Sequence, residues 1–446
     1  MTTDLLALDA VTLRDRLASG EITALELTEA CLARIAARED VVKAWVWIDA
    51  EHARAQARQL DGLRAAGGPL GALHGLPVGL KDVIDTAGIP TENGCPFDAG
   101  HVPDKDAFVV TRLKAEGAVI LGKTVTTELA YMEPRQTTNP HNPAHTPGGS
   151  SSGSAAAVAD GHVPLAIGTQ TGGSVIRPAS FCGVTGFKPS FGALPRTGVL
   201  MQSHTLDTLG VFARDPRGAA MVAEVLFGHD AGDAASRSRP APRLLATART
   251  EPPAPPRIAF ARPPRWEDAD PELHAAFATL CESLGDAVTE IELPAAFDQA
   301  ASARATVNFA EIAHHYRRYA EGGWDVVGDW TRQALTDGAA VSAADYLAAL
   351  DVGHAMRAAL PAIFARFDAI LCPAALGTAP EGLDFTGDSI FNGLWTFAGT
   401  PAVTIPAFTA ANGLPMGAQL VGARGDDARL LRTADWLARR IGLFAD

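Results

Sequence analysis

The chain has 446 residues, 47% hydrophobic and 20% charged, a balance that excludes a disordered or fibrous chain and supports a sizeable core. Its 37 Lys and Arg against 51 Asp and Glu leave a formal net charge of −14, the wrong sign for a chain that tracks phosphates, so no nucleic-acid partner is expected. The stretch from Met1 to Ala10 has no basic leader, and no run of about 18 apolar residues occurs. The reading is therefore cytoplasmic, with no membrane partner.

In chain order, Thr23 and Glu26 form a capping-box pattern, and Leu27, Cys31, Leu32 and Ile35 recur at helical spacing, which predicts a helix over about 24–37. A strand is expected within 76–85, a helix over 106–116, and a buried strand at 118–121. Helix followed by buried strand is α/β grammar. Residues 137–154 are almost all Thr, Asn, Pro, His, Gly and Ser, a composition that predicts a long loop. Residues 155–159 then begin a helix, 163–167 form a strand and 169–174 a polar turn. Between 228 and 256 the Pro, Ala, Ser and Arg content predicts an extended connector. Strands follow at 258–261, 368–372, 402–405 and 418–421, and a last helix ends at Gly442.

The five cysteines are scattered without a C-x-x-C pair, so neither a disulfide framework nor a thiolate metal site is indicated. Only six basic residues are Lys, at 43, 81, 105, 114, 123 and 188. In a chain that otherwise uses Arg, each of them invites a reason why Arg would not serve.

Three patterns compete for the chemistry. Gly117 to Thr124 matches the phosphate-binding G-x-x-x-x-G-K-T, but its variable positions are Ala-Val-Ile-Leu, which want to be a strand rather than a turn of amide donors. Gly149 to Gly153 matches the G-x-S-x-G nucleophile elbow, yet the Pro-rich stretch before it cannot be the required central strand. That disfavours a His-based triad and leaves His74, His141 and His145 as loop residues. The third pattern joins Lys81, the Ser cluster of 148–154, and Thr171-Gly172-Gly173-Ser174. A serine hydroxyl needs a base, which a lysine held neutral by burial can be and an arginine cannot. Glycines before Ser174 would let backbone N–H groups approach an oxyanion. A flexible Ser/Gly linker and a solvated Lys81-Asp82 pair are the plain alternatives.

Pro147 to Ala159, Gly168 to Ser174 and Pro178 to Val184 resemble the amidase signature family, as does Gly75 to Asp82, which is similar to its lysine segment. Gly122-Lys123-Thr124, Thr127 to Ala130 and Phe187 to Ser190 are similar to its flanking motifs. The likeness extends to Pro415 to Gln419 but is dense only between about 71 and 214. It implies a single α/β/α domain over 1–446 around a large mixed sheet, needing no cofactor or metal. It further implies a Ser-cisSer-Lys triad with Lys81 as base, Ser150 as relay and Ser174 as nucleophile, Thr171, Gly172 and Gly173 at the oxyanion hole, and Ser151 orienting Lys81 at the substrate site.

Three departures stand out: Ser152 replaces a usual glycine, Gln170 a usual aspartate, and Arg177 lies three residues after the nucleophile rather than two. The last resembles malonamidase-type members and suggests a guanidinium clamp for a malonamate-like small-molecule substrate. A structural arginine capping carbonyls is the alternative. Tyr316, Trp324, Phe391 and Trp395 are candidates either to line the pocket or to pack the core. The expectation is an amidase, with the family's habits suggesting a homodimer. A glutaminase-like subunit feeding ammonia to a ligase and a non-catalytic scaffold are the rivals.

Overall fold

The computed structural model describes residues 4–238 and 240–443. Its centre is one mixed sheet of 11 strands covered by helices. The strands are β1 (Trp45–Ile48), β2 (Pro77–Lys81), β3 (Val119–Thr124), β4 (Leu165–Gln170), β5 (Thr185–Lys188), β6 (Thr208–Ala213), β7 (Ile258–Ala261), β8 (Val288–Ile291), β9 (Ala369–Pro373), β10 (Ala402–Thr409) and β11 (Pro415–Val421). Their order across the sheet is β1-β3-β2-β4-β6-β5-β10-β11-β9-β7-β8. The contact between β5 and β10 joins the strands that precede the 228–256 segment to those that follow it.

Two parallel pairings set up the site. β2 runs parallel to β3 and to β4, with Leu80 opposite Ile167, so Lys81 and Thr169 emerge together at the carboxyl ends of adjacent strands. Open α/β sheets gather ligands at such ends. Every residue of β2, β3 and β4 is buried, as expected for strands covered on both faces.

The helices follow their sequence signals with instructive differences. The Ala24–Val42 helix starts at Thr23, whose side chain and that of Glu26 complete the reciprocal capping box, and runs beyond the expected 37. The Phe108–Ala115 helix and β3 fall where helix and strand were expected. Gly117 to Thr124 is therefore strand from Val119 onward, and no phosphate-cradling turn forms. β4 continues through Gly168, Thr169 and Gln170, the last two of which had read as turn, because their polar groups are used inside the molecule.

The 228–256 segment is not wholly extended. A short helix at Leu244–Ala248 buries Leu244 and Ala248, since its Leu-Leu-Ala run offers apolar surface that an extended linker would expose. One helix among the described residues, Ala343–Phe364, is long and apolar enough to cross a membrane. In the fold it packs against the Ala300–His315 helix, burying Ala349, Gly353, Met356 and Leu360.

Candidate active site

Lys81 ends β2 with its side chain fully buried, and its Nζ lies 2.7 Å from both Ser150 Oγ and Thr169 Oγ1. Burial pulls the ammonium pKa down to about 7, opposed by the charge of Asp207. Two other buried lysines show why this matters. Lys188, likewise lowered to about 7 by burial, donates only to the Pro189 and Thr400 carbonyls. Lys123 donates to the Ile84 carbonyl at 2.8 Å and to the Thr91 hydroxyl at 2.5 Å, and it pairs with Asp82 at 3.4 Å, a carboxylate that favours its charged form. Carbonyls and a carboxylate only accept, so Lys188 stays a donor to its carbonyls and Lys123 a donor to Asp82 and the Ile84 carbonyl. The partners of Lys81 are hydroxyls, which can reverse the direction of the bond.

Ser150 is presented by the loop that precedes the Ser152–Ala159 helix, and the Gly149–Ser150 peptide is cis. Gly148 has φ +82°, and a Cβ there would sit 2.9 Å from Pro178 Cα. Glycine is therefore required at 148 for both conformation and space. Ser152 is already the first residue of the helix, where ordinary helical backbone needs no glycine, so that departure costs the fold nothing.

Ser151 is buried, and its Oγ donates to the Thr169 carbonyl and accepts from the Thr169 N–H. It thus fixes the residue whose hydroxyl holds Lys81. The sequence placed Ser151 at the substrate site; the structure spends its hydroxyl inside the wall behind it, in an orienting position.

The loop that carries Ser174 leaves β4 directly. Gln170 Oε1 accepts the N–H groups of Val175 and Ile176 at 2.8 and 3.0 Å, the work a carboxylate would do there. Its Nε2 adds a bond a carboxylate could not make, to Thr396 Oγ1 at 3.0 Å, and Thr396 in turn donates to the Gly172 carbonyl. The Thr171 hydroxyl donates to Asp207 Oδ1 at 2.6 Å. Asp207 also accepts the Gln202 and Ser203 N–H groups, and burial raises its pKa to about 6.

Among the described residues, the N–H groups of Gly172, Gly173 and Ser174 have no hydrogen-bond partner, nor has the Ser174 hydroxyl. Ser174 opens onto a small cavity of about 110 Å³ that Thr171, Gly172, Gly173 and Arg177 also line. A free hydroxyl beside free amide donors is what attack on a carbonyl with oxyanion stabilisation requires.

Arg177 is buried in the Ile176–Cys182 helix, and its Nη2 donates to the Gly149 carbonyl at 2.8 Å and to Thr386 Oγ1 at 3.2 Å, while its Nε has no partner. It therefore caps a carbonyl and borders the cavity at once. Histidines are spent elsewhere: His141 and His145 bond the Cys182 and Ala379 carbonyls. The aromatics singled out from sequence do not border the cavity. Tyr316, Phe391 and Trp395 are core residues and Trp324 is exposed, while Tyr131 and Phe309 take the lining positions. No group of three or more His, Cys, Asp or Glu placed to hold a metal exists among the described residues.

Thr169, Asp207 and Arg304 carry no signal of their own in the sequence. Thr169 gains meaning only when β2 and β4 pair, Asp207 only when β4 and β6 do, and Arg304 only when its helix reaches the cavity.

The model of the family described as Amidase matches residues 26–431. A glutamyl-tRNA(Gln) amidotransferase subunit from Chloroflexus aggregans is 36% identical, over 94% of this chain and 93% of its own. Among solved structures, 6-aminohexanoate cyclic dimer hydrolase superposes with TM-score 0.88 at 26% identity, covering 99% of this chain and 98% of its own. Native peptide amidase from Stenotrophomonas maltophilia gives TM-score 0.85 at 29% identity, with 98% and 97% covered.

Proposed function

The chain belongs to the amidase family and is an amidohydrolase, and from that premise we propose that it cleaves a small carboxylic amide to acid and ammonia or amine through an acyl-enzyme on Ser174. The observation that carries the proposal is the 2.7 Å bond between Lys81 Nζ and Ser150 Oγ, made by a lysine whose pKa burial has brought to about 7.

In this reading neutral Lys81 accepts the proton of Ser150 as Ser150 accepts that of Ser174, and Ser174 Oγ bonds to the amide carbonyl carbon. The oxygen becomes an oxyanion held by the free N–H groups at Gly172, Gly173 and Ser174, with Thr171 fixing the loop through Asp207. Ser150 returns the proton to the amide nitrogen as the C–N bond breaks. Water, deprotonated by the same relay, then releases the acid. Malonamate-like acids remain the proposed substrates, because Arg177 borders the cavity with an unpartnered Nε.

The test is ammonia release from malonamate, malonamide, propionamide, benzamide, indoleacetamide and glutamine, beside fluorophosphonate labelling. Both must vanish in Ser174→Ala. A scaffold would label in neither protein. A second reading, a glutaminase-like component of a larger assembly, is favoured by the likeness to the amidotransferase of Chloroflexus aggregans over nearly the whole chain. It requires a preference for glutamine together with stable copurification of a second protein; a homodimer active alone on small amides defeats it.

A further inference from the structure

The cavity beside Ser174 is lined by two arginines, Arg177 and Arg304, and neither forms an ion pair with a carboxylate among the described residues. Arg177 is fixed by Gly149 and Thr386, as above. Arg304 comes from the Ala300–His315 helix, after the connector, and its side chain reaches back to the nucleophile loop. A Cβ added to Gly172 would lie 3.4 Å from Arg304 Nη1, and one added to Gly393 only 2.4 Å from Arg304 Nε. Gly393, on the Ile390–Ala398 helix, is the opening that admits this side chain.

The Arg304 side chain makes no hydrogen bond and no ion pair among the described residues. The charges felt by it are those of the Tyr131 phenol and of Asp388. Asp388 instead sits 3.8 Å from Arg265, and burial pushes the Tyr131 pKa to about 12, leaving a neutral hydroxyl. Arg304 and Arg177 also feel each other: burial, opposed by Asp388 and reinforced by Arg304, draws Arg177 down to about 10. Two like charges in a confined pocket with five N–H donors each are costly unless an anion joins them.

We propose that Arg304 binds, together with Arg177, a carboxylate on the acyl half of the substrate, and that it selects short monoamides of dicarboxylic acids over neutral amides. The proposal rests on the amidase reading above and deepens it. Arg177 has already committed donors to the protein, whereas Arg304 offers its whole planar fork, so discrimination by charge falls mainly to Arg304. The small cavity fits only a short acyl chain between Ser174 and the two guanidinium groups.

The test separates binding from catalysis. In Ser174→Ala protein, calorimetry with malonate and succinate beside butyrate should show the dicarboxylates bound more tightly. Adding Arg304→Gln should weaken them about 30-fold, the loss expected of a charge-assisted pair. Gly393→Ala, which displaces Arg304 while keeping its charge, should weaken them as well, and serves if Arg304→Gln fails to fold. In the active enzyme the kcat/KM ratio of succinamate to butyramide should fall by a similar factor through KM, with Arg304→Lys restoring part of it. Dicarboxylates that bind no better than butyrate, or equally well without Arg304, overturn the proposal. Fluorophosphonate labelling is read separately: an unlabelled Ser174 defeats the amidase reading, while the dicarboxylate measurement still decides the role of Arg304.

Discussion

The segment before the 228–256 connector and the segment after it build the same cavity by different means. The first supplies Ser174 and Arg177 to its lining and, outside the lining, Lys81, Ser150 and Thr169 joined in one hydrogen-bonded chain. The second supplies Arg304, Asn308 and Phe309 from one helix and Ser389 from the cap of another, lining the cavity with Ser174. Proton transfer tolerates only small errors in distance, which suits groups set on, or on loops beside, the ends of central strands. Recognition of an acyl group can be moved from one side chain to another on a helix without disturbing that chain. The difference suggests that, Arg177 apart, substrate changes should be sought after residue 256 and losses of chemistry before it.

The strongest way to break this division is to remove the proton chain. Ser174→Ala and Lys81→Met should each lower ammonia release by about 10³-fold or more. Lys81→Arg should fail as badly, because a guanidinium does not give up its proton in a protein. Labelling of Ser174 by a fluorophosphonate in Lys81→Met should be correspondingly slow. Activity surviving Lys81→Met within about tenfold would place the base elsewhere.

The pH profile sharpens the same point. The Lys81 pKa is lowered to about 7 in the fold, so the neutral form that can accept a proton accumulates above that value. For a neutral amide, kcat/KM should therefore rise with pH through about 7, falling about tenfold per unit below it. The stability sign follows the same protonation. Between about 7 and the ordinary lysine value of 10.5, the unfolded chain binds the proton that the folded chain has lost. Burial of Lys81 thus costs most below 7, and the cost is relieved as pH rises towards 10.5. A profile flat from about 6 to 9 would contradict the assignment of Lys81 as base.

Gln170 tests how the two segments meet. Its Oε1 organises the backbone after Ser174, and its Nε2 reaches Thr396 in the second segment. Gln170→Glu keeps the first contact and replaces the second donor with an acceptor, so Thr396 must choose between the carboxylate and the Gly172 carbonyl. A drop of about tenfold in kcat with little change in KM is expected, the size of one hydrogen bond in the oxyanion loop. Recovery with Thr396→Val would show that the competition at Thr396 is the cause.

Much of the first segment was legible because its chemistry is local in sequence. The Gly-Gly-Ser run after β4, the Ser cluster before a helix and a Lys in an Arg-rich chain each carry their own signal. Composition misled at Thr169 and Gln170, which are strand, and in part at 137–154, which is largely a loop, yet Asn139, Thr146 and Ser150 to Ser154 are buried, because side chains and backbone there satisfy one another. Arg304 was illegible for the opposite reason. On an amphipathic helix an arginine reads as solvated surface, and only Gly393, far along the chain, opens the space that turns it inward. Asp207 likewise depends on the pairing of β4 with β6 to reach Thr171.

The mildest expected effect concerns a brace between the segments. Tyr316 is buried in the second segment, and its hydroxyl donates to the Leu129 carbonyl at 2.6 Å. Leu129 and Ala130 hold φ of +49° and +56°, a conformation that side chains resist and that surrounding contacts must maintain. From there the chain passes to Tyr131 and Met132 at the cavity. Tyr316→Phe keeps the ring in the core and removes only this bond, so it should cost about 1–2 kcal/mol in denaturant unfolding. If the brace serves the fold alone, kcat/KM should stay within about threefold for charged and neutral amides alike, since no group touching the substrate has changed. A selective loss on charged amides would instead mean that the Leu129–Met132 turn positions the wall facing Arg304, and that the first segment's share in recognition extends beyond Arg177.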